Sequence, residues 1–149
     1  MKLKTGSWVV VADGGRGLIL VNEGTALEPE LRVERTYELD NPKTSEQGRD
    51  KPSRTFESTG TRRSSAEVPD LHQRAEDDFV TGIIGDLETA AAAGKFEHAI
   101  IIAPPAALGE MRKAAGKDLA ARISAWGDKD LTKAPVADIT SVVVKALQG

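Results

Sequence analysis

The residues able to do chemistry in this chain are few, and their spacing excludes more than it assigns. There is no cysteine, which rules out disulfides, thiol catalysis and Cys-based metal sites. His72 and His98 stand far apart with no ligand-like spacing around them, so neither a metal nor another cofactor is expected. His72 falls at a helix start, where it either meets a partner or is simply exposed, and His98 precedes a strand, where it packs or caps a turn. Glu76, Asp77 and Asp78 are consecutive, so on a helix they point around its axis instead of converging on one proton, and they read as a solvated face. The hydroxyls of Ser53, Thr55, Ser58, Thr59 and Thr61 have no neighbouring base to activate them. Gly14-Gly15-Arg16-Gly17 has the composition of a phosphate-cradling loop but not the strand-to-helix setting that would aim a helix N-terminus at an anion. It is expected to form a hairpin turn whose glycines supply positive φ, with Asp13 receiving turn amides and Arg16 the one side chain free to touch a ligand. No catalytic residue is assigned.

Cations, by contrast, are concentrated. Residues 40–70 carry Lys43, Arg49, Lys51, Arg54, Arg62 and Arg63 against Glu46, Asp50, Glu57 and Glu67 between the end residues, although the whole chain has a formal net charge of -3. Phe56, Val68 and one alanine are the only apolar side chains there apart from prolines and glycines, too few to offset the entropy of ordering the segment. The expectation is a long basic loop, loosely held, suited to a local anionic contact. Arg49, Lys51, Arg54, Arg62 and Arg63, with His72 at the helix start beyond the loop, are the candidates for that contact.

The elements flanking that loop follow from hydrophobic periodicity. Trp8–Ala12 is a continuous β-prone run suited to a strand buried on both faces, and residues 18–21 return from the glycine turn as its hairpin partner. Leu31, Val33, Tyr37 and Leu39 alternate with polar residues, giving a third strand with one solvated face, and Arg35 interrupts the apolar set as a snorkelling residue or an edge marker. Leu71, Ala75, Phe79, Ile83, Leu87 and Ala90 recur at helical steps, predicting one helix over residues 70–94, N-capped by Asp70 and stopped by Gly94. Gly82 and Gly85 in its middle are expected to pack closely on the sheet. Ala99–Ala103 is the second uninterrupted apolar run, ended by Pro104-Pro105. A short helix through Leu108 and Met111 follows, then a strand over residues 119–126 and a final helix carrying Val136, Ile139, Val143 and Leu147. The order β-β-β, loop, α-β-α-β-α defines one α/β domain over 1–149 with a mixed sheet covered by helices. Its expected core includes Val9, Val11, Ile19, Val33, Phe79, Ile83, Ile101, Leu108 and Ile123. The first apolar run is too short for a signal-peptide core and no later segment reaches spanning length, so no membrane insertion and a cytoplasmic location are expected.

The motifs Trp8-Val-Val-Val-Ala-Asp13-Gly-Gly-Arg-Gly17, Ala99-Ile-Ile-Ile-Ala-Pro-Pro105 with Leu108-Gly109, and Asp128-Lys-Asp-Leu-Thr132 resemble the bacterial host attachment protein family over essentially the whole chain. More distantly, the order of elements resembles the middle domain of archaeal and eukaryotic class-1 peptide-chain release factors, whose loop between third strand and long helix carries a Gly-Gly-Gln tripeptide into the peptidyl-transferase centre. Residues 40–70 occupy that topological place but hold Gln47-Gly48-Arg49 and Ser58-Thr59-Gly60 instead. The resemblance thus implies a contact with tRNA or ribosomal RNA, without peptidyl-tRNA hydrolysis by the known route. Three functions remain open on the sequence: a non-catalytic or weakly catalytic RNA- or ribosome-contacting domain, a protein or polysaccharide interaction factor acting in host attachment, and a small hydrolase.

Overall fold

The computed structural model describes residues 3–39 and 61–148. Five strands form one sheet in the order β3-β2-β1-β4-β5, with β1 Trp8–Ala12, β2 Arg16–Asn22, β3 Leu31–Glu38, β4 Ala99–Ala103 and β5 Ile123–Asp128. β1 pairs antiparallel with β2 and parallel with β4, β2 pairs antiparallel with β3, and β4 pairs parallel with β5. The mixed α/β sheet expected from the apolar runs is the one observed. Its two central strands, β1 and β4, are those runs: Val9, Val10, Val11, Ile101 and Ile102 are all fully buried.

Four helices cover the sheet: α1 Thr61–Ala92, α2 Pro105–Ala114, α3 Lys117–Ala120 and α4 Val136–Gln148. On one face, Val80, Ile83, Ile84, Leu87 and Ala91 of α1 pack with Leu108 and Met111 of α2 and Leu119 of α3 against Val10, Ile19 and Ile101. On the other, Ile139, Val143 and Leu147 of α4 pack against Val9, Val11, Leu20, Ile100 and Ile102. Alternate residues of the central strands therefore feed two separate cores, as the pleat requires.

Several expectations are corrected. The helix does not begin at Asp70: α1 starts at Thr61, so residues 61–70 are helical and Arg62 and Arg63 belong to its first turn. Once α1 is nucleated by its packed C-terminal half, extension through Arg62, Arg63, Ala66 and Glu67 costs little per residue, and Pro69 does not stop it. The packing stripe also lies further along than the periodicity suggests. Leu71 is 55 % exposed and Phe79 only partly buried, while Val80 and Ile84 are in the core. Gly82 and Gly85 meet nothing within 4 Å of an added Cβ, so sheet packing is not what places glycine there. Gly94 does end the turn, with φ 74° and the amides of Gly94 and Lys95 donating back to Ala91 and Ala90.

Strand β3 is an outer strand whose Val33 is 39 % exposed rather than buried, because α4 and α1 lie over the middle of the sheet. Ile123 is likewise only partly buried, on the opposite outer strand. The stretch 119–126 is not all strand: Leu119 is buried in α3, and β5 begins at Ile123. Glu88 explains that break. Its carboxylate accepts the amides of Gly116, at 2.8 Å, and Leu119, which halts the chain between α2 and β5 in a capped turn. Glu76 and Asp78, by contrast, are exposed and Asp77 is partly so, as a solvated face requires.

Candidate nucleic-acid interface

Strands β1, β4 and β5 run in the same direction, and the ends where they finish bring together the β1–β2 turn and the β5–α4 loop. Asp13 is the fastener. Its Oδ1 accepts the amides of Gly15 and Arg16, each at 2.8 Å, and its Oδ2 accepts the hydroxyl of Thr132 at 2.8 Å. The Asp13 amide in turn donates to the Arg16 carbonyl at 2.9 Å. The turn is thus closed by a carboxylate, and positive φ plays no part: among the described glycines only Gly6 and Gly94 have it. Gly14 and Gly17 are small for another reason. A Cβ at Gly17 would sit 2.8 Å from Ile83 Cδ1, and one at Gly14 would sit 2.8 Å from the Glu76 carboxyl, so α1 crosses directly against the turn.

With Asp13 so engaged, it holds the turn rather than reaching outward. Arg16 is exposed and lies 3.9 Å from Glu38, a loose pair on the last residue of β3. The Leu39 amide donates to the Gly15 carbonyl at 2.9 Å, tying the exit of β3 to the same turn. Residues 40–60 connect this point to Thr61 and lie outside the described residues, and with them Arg49, Lys51 and Arg54. Arg62 and Arg63 follow in the first turn of α1, at the positive end of the helix dipole. His72 is exposed further along α1, and every residue from 71 to 76 is exposed. At 1.5 Å per residue, the stretch of α1 from Thr61 to the buried stripe at Val80 is roughly 28 Å long. His98, by contrast, lies near the opposite end, half-buried, and its carbonyl accepts the Trp8 amide.

The sequence reading missed the groupings that depend on long separations. Thr132, 6 % exposed, meets Asp13 across 119 residues of chain and also lies 3.3 Å from Asp130. On the α1 face of β3, the Tyr37 hydroxyl donates to Asp86 Oδ2 at 2.8 Å, Arg35 reaches the same oxygen at 3.4 Å, and the Arg35 guanidinium lies over the Tyr37 ring. Burial, followed by the hydrogen bond to Asp86 and that carboxylate's charge, pushes the Tyr37 phenol up to about 12, with Arg35 opposing. The interruption of the apolar pattern by Arg35 was the sequence's only trace of this cluster. Among the described residues no three His, Asp or Glu side chains gather as a metal site. Nor is any described helix long and apolar enough to cross a membrane.

No curated protein matches this sequence. Among solved structures, the fold is similar to Dom34 of S. cerevisiae, a translation termination-like factor involved in RNA quality control pathways and interacting with Hbs1, with a TM-score of 0.47 and 12 % identity. That alignment covers 99 % of this chain and 36 % of Dom34, so the chain spans about a third of the length of that protein. The release-factor side of the resemblance is what the family comparison carries; the host-attachment name finds no counterpart in it. Residues 6–143 match bacterial archaeo-eukaryotic release factor family 12, and the chain belongs to that family.

Proposed function

We propose that this protein acts in translation, bringing the basic residues between β3 and the body of α1 against ribosomal RNA or tRNA. The observation that carries the reading is the placement of the cations: in a chain of the release-factor-like family, Arg49, Lys51 and Arg54 fall between β3 and α1, and Arg62 and Arg63 at the N-terminus of α1. Arginine suits the task because its planar fork binds phosphate oxygens in pairs, and phosphate contact asks only for charge and reach. His72 lies nine residues beyond Arg63 on the same helix and is open to solvent. Contact, not hydrolysis, is the proposed activity, since the stretch has no Gly-Gly-Gln. The Asp13 fastener serves it indirectly, fixing the end of the sheet from which β3 leaves. A role in host attachment would then follow from altered translation, with the protein itself remaining off the cell surface.

The test is co-sedimentation with ribosomes and binding to bulk tRNA over a salt series. Each neutralised phosphate steepens the log-log salt dependence by about 0.7 to 0.9 units, so Arg62→Gln with Arg63→Gln is expected to weaken binding and flatten the slope by about 1.5 units. The urea midpoint should not move. Wild-type protein with no affinity for either RNA at low salt overturns the reading.

A further inference from the structure

The α1 face of the sheet holds a cleft of about 350 Å³ at the side away from α2, a size in the range of small-ligand sites. Its floor is apolar, made by Trp8, Ile19, Ala90 and Ala93, and its rim carries the Arg35, Tyr37 and Asp86 cluster. A second hollow of about 220 Å³ adjoins it, lined by Lys4, Lys95 and His98 together with Glu97. Lys95 lines both, and the stacked rings of Trp8 and Phe96, 4.5 Å between centroids, separate them. The Gly94 turn, with φ 74°, is what sets Lys95 at this junction. Among the described residues neither Lys4 nor Lys95 takes part in an ion pair.

From these features we infer that the paired hollows form a nucleotide site, the base lying in the larger and the phosphate in the smaller. Both contacts made to Asp86 use Oδ2, so its Oδ1 is left as an acceptor at the rim. Guanine answers it, because its adjacent N1–H and N2–H2 bring two donors to the lone pairs of that one oxygen. Arg35 has one guanidinium face on Tyr37 and is 57 % exposed, so its other face is open for a base to stack on, a use bases commonly make of arginine planes. Tyr37 and Asp86 keep that plane in place. Lys95 and Lys4 then supply charge-assisted bonds to the phosphate, Lys95 being the residue that couples the two hollows. The proposal does not depend on the RNA reading given above. Its ligand is either a free guanine nucleotide or a guanine residue within a single strand of RNA.

Trp8 is a built-in reporter, and Trp126→Phe removes the other tryptophan. Titration of that protein with 5′-GMP is expected to change the Trp8 fluorescence saturably, with guanosine binding about tenfold more weakly for want of the phosphate. Lys95→Gln is expected to bring GMP down to the guanosine level, and Asp86→Asn to weaken GMP while leaving UMP unaffected. Lys95 is exposed, so an unchanged thermal midpoint is expected for Lys95→Gln and serves as its folding control, while for Asp86→Asn the unchanged affinity for UMP does so. A guanine-containing RNA hexamer that binds more tightly than GMP, with the same Lys95 dependence, identifies the strand as the source. A hexamer that binds no better identifies the free nucleotide. Equal binding of GMP and guanosine, indifference to Lys95→Gln, or no saturable change with any of the three overturns the proposal.

Discussion

Replacing Asp13 with alanine is expected to lower stability by about 2 to 3 kcal/mol, and the figure can be built bond by bond. The Arg16 amide is exposed, so water replaces the carboxylate there at little cost. The Gly15 amide is partly buried, and its loss of a charged acceptor costs about 1 kcal/mol. Thr132 is the larger matter, because its hydroxyl is buried and would lose its 2.8 Å partner. It can turn toward Asp130 Oδ1, now 3.3 Å away, which limits its share to about 1 kcal/mol. The small cost at the exposed Arg16 amide makes up the remainder. Asp13→Asn keeps an oxygen for the two amides and puts an amide nitrogen beside the Thr132 oxygen, so it should cost about 1 kcal/mol or less. Urea denaturation of Asp13→Ala, Thr132→Val and the double variant measures the tie directly, with a coupling of about 1 kcal/mol expected. Midpoints of Asp13→Ala within about 0.5 kcal/mol of the parent protein, with an unchanged slope, would refute the claim that this carboxylate holds the turn to the loop.

Two further outcomes follow from the core and from the outer strand. Ile101 is fully buried at the centre of β4, and Ile101→Ala should destabilise by about 2 to 5 kcal/mol in the same denaturation experiment; no measurable change would remove β4 from the centre of the sheet. Tyr37 is the sole tyrosine of the chain, so ultraviolet titration of its phenol reads one group. Its pKa in the folded protein, about 12, lies above the ordinary value of 10.0, so the stability it contributes is complete below pH 10 and is lost as pH rises toward 12. Asp86→Asn should bring the titration down in pH, and an unaltered curve would mean that burial alone sets it.

How far the sequence revealed the fold depended on whether a residue's partner was near it in the chain. Trp8–Ala12 and Ala99–Ala103 announce themselves because a strand buried on both faces admits only apolar side chains, and such runs have no other plausible place. Strand β3 deceived for the complementary reason. Alternation of Leu31, Val33 and Tyr37 with charged residues promises a buried face, but the pattern carries no information about whether a helix reaches that far across the sheet, and here none covers Val33 fully. The start of α1 was obscured by Asp70 and Pro69, both ordinary helix-boundary residues, while the stability that carries the helix past them resides in the contacts of Val80, Ile84 and Leu87.

The candidate site divides along the same line. Its cations are a matter of composition and were legible as such, whereas the Asp13–Thr132 tie, the Glu88 cap and the Arg35–Tyr37–Asp86 cluster each join residues 28 to 119 positions apart. These three also share a physical role, for each spends a carboxylate on holding one element against another. Two of these carboxylates, Asp86 and Glu88, belong to the acidic residues that follow residue 70. Of the three, Asp86 faces a cation, Arg35, and its field falls off as that of a paired group, whereas Asp13 and Glu88 face neutral amides and a hydroxyl and keep their full charge. The framework carboxylates thus act on the packing of the elements, and the cations of residues 43–63 are set apart from them in the sequence.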